Sequence, residues 1–100
     1  MAVNDQSDPD VIAFYRAGFP SVHWQIQANI LHSSIVKELA AQYPGTLWVD
    51  THPGLDGVHQ KFIDLVHFTQ EGRQQLAENI FAGIKDVLVH DLNGATTVAP

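Results

Sequence analysis

Cysteine is absent from this chain, so thiol catalysis, disulfide cross-links and cysteine-ligated zinc are excluded, while the compartment stays open. Positive charge is scarce: five Lys and Arg stand against 11 Asp and Glu, for a formal charge of −6. The five cations, Arg16, Lys37, Lys61, Arg73 and Lys85, are scattered along the chain. A surface that tracks phosphates needs clusters of them, which argues against nucleic acid as a partner and against anionic membrane surfaces. No apolar run approaches the ~18 residues of a membrane span. The first residues, Met1-Ala2-Val3-Asn4-Asp5-Gln6, have neither the basic nor the apolar region of a secretory signal. Internal repeats and low-complexity tracts are missing too.

What is present is a folding composition. Hydrophobic residues make up 45% of 100 positions, enough for one small domain that buries roughly 65% of its unfolded surface. Residues 1–7 read as a frayed tail. Asp8-Pro9-Asp10 is a helix start, with a capping carboxylate, a proline at the first helical position and an acid on the dipole. The helix expected over 9–17 ends at Gly18. Ser21 can cap a second helix over 22–42, in which Trp24, Ala28, Leu31, Ile35 and Leu39 form one stripe. Val22, Ile26, Ile30, Val36 and Ala40 fall on the opposite side, so the helix reads as lying between two neighbours.

Tyr43-Pro44-Gly45 stops it, and 46–50 (Thr-Leu-Trp-Val-Asp) reads as a strand of the kind buried on both faces of a parallel sheet. A polar loop over 51–69 leads to a last helix over 70–90. Leu76, Ala77, Ile80, Phe81, Ile84, Val87 and Leu88 form its apolar face. Asn93-Gly94 reads as its terminator, and 95–100 as a tail. Trp24 and Trp48 are expected in the core, and His23, His32 and His90 at the surface. Helix, helix, strand, loop, helix is an α/β pattern. A lone strand leaves its backbone groups unpaired, so 1–100 is expected to be one partial domain, the C-terminal portion of a larger α/β unit.

The chemistry concentrates at Asp64-Leu65-Val66-His67. A carboxylate that holds one ring nitrogen of a histidine leaves the other free to act as a base. Thr69 can cap the following helix, and Glu71 suits its first turn. Asp64, His67, Phe68, Thr69, Gly72, Leu76 and Ala77 together resemble the last conserved block of the SGNH (GDSL-type) ester hydrolases. That resemblance covers about 64–81. It implies a three-layer α/β/α, flavodoxin-like fold, a hydrolase acting on ester bonds, His67 as general base and Asp64 as its orienter, with a small-molecule ester as substrate and no cofactor.

The same resemblance implies a nucleophile in a Gly-Asp-Ser block, and that block does not occur here. Ser7 and Ser21 read as tail and cap residues, and Ser33 and Ser34 as mid-helix; Asn29 and Asn79 also fall within helices and receive no oxyanion role. An Asp-His pair alone cannot run acyl transfer at an enzymatic rate. Asp56-Gly57-Val58-His59 repeats the Asp-x-x-His spacing without the Thr and Gly that follow, and stays as the alternative pair. Two further readings remain beside the hydrolase. One is a His/Asp metal site among Asp50, His52, Asp56, His59, Asp64 and His67, whose residue types suit zinc or another divalent ion. The other is a non-enzymatic module that self-associates through exposed apolar surface.

Overall fold

The computed structural model describes residues 1–98 of the chain. Its elements in order are α1 (Pro9–Gly18), α2 (Val22–Gln42), a 3-10 turn over His59–Lys61 and α3 (Gln70–Val98). Asp8 caps α1 by accepting the Asp10 N–H at 2.8 Å, and the Phe19 N–H closes it on the Tyr15 carbonyl. Ser21 precedes α2 without capping the backbone; its hydroxyl takes the Gln25 amide instead. Beyond Tyr43-Pro44 the chain turns at Gly45, whose φ of 83° lies in the left-handed region that glycine favours. Thr69 caps α3 by accepting the Gly72 N–H at 3.1 Å.

The core is small and lies towards the first half of the chain. Ile12 and Tyr15 of α1 meet Val22 and Ile26 of α2, and Leu55, Phe62 and Leu65 of the long loop close over them. Ala2 and Val3 complete this cluster, at 0% and 1% exposed. The expected frayed tail is therefore a buried one. The Ala2 N–H donates to the Leu65 carbonyl and the Gly57 N–H to the Met1 carbonyl. The Met1 amino group reaches one oxygen of Asp56 at 3.0 Å, and the Asn4 side-chain amide reaches the other.

The α/β/α expectation is overturned. Among the described residues there is no strand and no sheet, only an isolated antiparallel bridge between Phe62 and Phe68, and the chain forms a small helical domain. Residues 46–50 run without regular structure between α2 and α3, and no second strand lies beside them to exchange hydrogen bonds. A strand exists only as part of a ladder, so an apolar run alone does not make one. Trp48 and Trp24 are not core residues either: Trp48 lies under the Lys37 ammonium, and Trp24 is 81% exposed. Of the two stripes of α2, only the one containing Val22 and Ile26 is covered, and only at its first turns.

The helix expected over 70–90 runs on to Val98, through Asn93 and Gly94 and into the stretch read as a tail. Asn and Gly each cost a helix less than about 1 kcal/mol relative to Ala, which weakens it without stopping it. Residues 99 and 100 of that tail lie outside the described residues. The molecule is elongated, with a radius of gyration of 17.4 Å against about 13 Å for a compact chain of this length.

α3 is seated on the loop by polar contacts as much as by apolar ones. Asn79 is 9% exposed, and its amide nitrogen donates to the carbonyls of Thr51 at 3.0 Å and Pro53 at 2.8 Å. Gln75 donates to its oxygen and in turn accepts from Lys61, whose ammonium also holds the Gly54 carbonyl. Removing the Asn79 amide strands two backbone acceptors against the helix, a loss of about 2 kcal/mol. Asn79→Ala is expected to lower the urea midpoint by that loss divided by an unchanged slope, about 1–2 M for a slope of about 1–2 kcal/mol/M.

Candidate active site

Asp64 and His67 sit on a loop fixed at both ends and at its tip. The Ile63 N–H donates to the His67 carbonyl at 2.7 Å and the Thr69 N–H to the Lys61 carbonyl at 3.0 Å, so residues 61–63 and 67–69 close the loop like a short clasp. The rings of Phe62 and Phe68 pack across it with centroids 5.0 Å apart. Leu65, at the tip, is 2% exposed. Apolar anchoring at Phe62, Leu65 and Phe68, three positions apart, leaves the two polar side chains exposed on a pinned backbone.

Within the loop the Asp64 carboxylate organises everything around it. Oδ1 accepts the backbone N–H of Val66 at 2.9 Å and of His67 at 2.8 Å, and the His67 ring nitrogen Nδ1 lies 2.8 Å from Oδ2. Hydrogen bonds to the ionised form pull the Asp64 carboxyl down to about 2; the Val66 N–H contributes most, then the His67 N–H, then the His67 ring. With Asp64 ionised, Nδ1 carries the ring proton and donates it, and Nε2 is left as the acceptor. Among the described residues nothing hydrogen-bonds Nε2.

A folded carboxyl pKa below its ordinary value of 3.8 stabilises the fold above about pH 4, and that contribution is lost as pH falls through about 2. Carboxyl NMR of Asp64 is expected to titrate near 2. In His67→Ala the midpoint should rise but stay below 3.8, because the two backbone donors remain. A midpoint at 3.8 in the unsubstituted protein would show that the clasp does not hold in solution.

The surroundings of the pair are open. The His67 side chain is 75% exposed and that of Asp64 40%, so water is not excluded from the base. On one side Asp64 borders an apolar groove of about 380 Å³ lined by Phe14, Tyr15, Phe19 and Ile63. Burial, and then the Asp64 charge, push the Tyr15 hydroxyl above its ordinary pKa.

The other residues singled out in the sequence are not brought to this place. Asp56 does not pair with His59: its two oxygens are taken by Met1 and Asn4, and His59 opens the 3-10 turn. Among the described residues no three of the histidine and acidic side chains are gathered so as to hold a metal ion. None of the four serines reaches His67. Ser7 bonds Asn4, Ser21 bonds Gln25, and Ser33 lines an open cleft with His52 and Asn29. The structural work of Asn79 was open to sequence reasoning, since an amide between Leu76, Ile80 and Gly83 stands in the apolar stripe of its helix. That of Asp56 was not, because its partners come from residues 1–4. No helix among the described residues is long and apolar enough to cross a membrane. No family model, curated protein or solved structure matches the chain.

Proposed function

We propose that Asp64 and His67 are the base half of an ester-hydrolysing site of the SGNH type, completed by a nucleophile that these 100 residues do not contain. The observation that carries the reading is the 2.8 Å contact from Asp64 to Nδ1 of His67, with Nε2 unbonded among the described residues and the side chain 75% exposed. In such a site His67 Nε2 takes the proton of a serine hydroxyl as that oxygen attacks the ester carbonyl, and returns it to the leaving alkoxide. Asp64 keeps the imidazole in the right tautomer and stabilises the imidazolium while it exists. Phe68, Thr69 and Gly72 have supporting tasks: ring packing across the clasp, the helix cap, and close approach of α3.

Alone, the chain has a base open to water and no nucleophile beside it, so its own ester hydrolysis is expected to stay at the level of a free imidazole. The decisive experiment supplies the missing part. The chain, fused to or co-expressed with a polypeptide that carries a Gly-Asp-Ser segment, is assayed on short-chain nitrophenyl esters. Activity that depends on both the added serine and His67 supports the reading. An active assembly indifferent to His67→Ala overturns it.

A further inference from the structure

We infer that the exposed stripe of α2 and the extended segment 47–49 form a self-complementary interface between two copies of this chain. The inference stands apart from the reading of Asp64 and His67, which lie outside these residues. It begins with charge. From Val22 to Val49 the only formally charged residues are Lys37 and Glu38, which cancel, so the whole −6 of the chain resides elsewhere. Residues 22–36 hold no Asp, Glu, Lys or Arg at all. A helix that faces solvent normally carries a charged side; this one presents Trp24, Leu31, Ile35 and Leu39, between 46% and 81% exposed. Two copies of an acidic protein can meet here without bringing like charges together.

The backbone adds a second feature. Leu47, Trp48 and Val49 run without regular structure, and among the described residues no hydrogen bond reaches their N–H or C=O groups. A row of free donors and acceptors is complementary to itself: about a twofold axis, the same segment of a second copy pairs with it antiparallel. The area is of the right size. The chain exposes 7298 Å², where a compact monomer of 11.0 kDa exposes about 5,600 Å². This excess of about 1,700 Å², to which Val87, Val89 and Leu92 of α3 also contribute, is larger than the ~800 Å² per partner of a standard interface.

Light scattering on the eluting protein and sedimentation equilibrium across the micromolar range test the inference. The unsubstituted chain is expected at twice 11.0 kDa. Leu31→Glu places a charge in the stripe, and Leu47→Pro removes a donor from the segment. Each is expected to weaken association at least tenfold while far-UV circular dichroism stays unchanged. Phe14→Glu, on α1 and 75% exposed, should leave association intact. A particle of 11.0 kDa at every concentration overturns the inference, and so does a dimer that survives Leu31→Glu or Leu47→Pro. Association only with a polypeptide carrying the nucleophile also overturns it and assigns the face to that partner.

Discussion

Gly72→Ala is expected to cost this protein about 2 kcal/mol or more, against the usual direction for a glycine inside a helix. Gly72 has ordinary helical geometry, where alanine gains up to about 1 kcal/mol. But a Cβ built there runs into the backbone carbonyl of Lys61 and comes within 3.1 Å of the Phe68 Cβ. Lys61 cannot yield cheaply, because that carbonyl accepts the Thr69 N–H which closes the Asp64–His67 loop. The first turn of α3 must lift away, and overpacking of this kind costs about 1–3 kcal/mol or more. For a domain of this size a net 2 kcal/mol lowers the melting temperature by about 8–16 °C. Thermal unfolding at one fixed protein concentration measures it, and a stabilised Gly72→Ala would show that α3 does not sit on the 59–61 turn.

The second large effect is catalytic and belongs to the proposed assembly with a nucleophile. There His67→Ala is expected to lower kcat for ester hydrolysis by about 10²–10⁴, the range a general base supplies. Asp64→Asn should follow within that range. An amide oxygen still accepts the Val66 and His67 backbone donors, so the loop keeps its shape. It neither fixes the imidazole tautomer nor balances the imidazolium charge. Asp64→Asn gives up the stability that the ionised carboxylate contributes above about pH 4, so a lowered melting temperature is expected. A chemical role is shown by rates that still collapse at a temperature where the variant is fully folded. His59→Ala is the internal comparison. If it, and not His67→Ala, abolishes turnover, the base is the upstream histidine.

Local chemistry was legible in the sequence and long-range pairing was not. Asp64 and His67 are three positions apart, and an aspartate that bonds the backbone two and three residues ahead is decided within those four residues. The starts of α1 and α3 were legible for the same reason, since Asp8 and Thr69 satisfy donors a few atoms away. The sheet was read from hydrophobicity, which specifies that a segment is to be covered and not by what. At 46–50 the same Leu-Trp-Val run serves a strand in a sheet or an open segment between helices, and only the neighbours decide. Ala2 and Val3 failed as a tail because their burial depends on Leu65 and Gly57, far along the chain. Trp24 failed as core because nothing in a helical stripe tells which of two sides the rest of the molecule will cover.

The seating of residues 1–4 against the 55–65 loop sets an order of events in folding. Met1 and Asp56 are 55 positions apart, and closing a loop of that length costs about 3.5 kcal/mol of chain entropy beyond the constant. α1 and α2 form from neighbours and can precede this step, whereas the core containing Val3 seals only after Leu55, Phe62 and Leu65 arrive. Ala2 and Val3 therefore stay uncovered until the 55–65 loop arrives, so two of the side chains buried deepest in the folded chain are among the last to leave water.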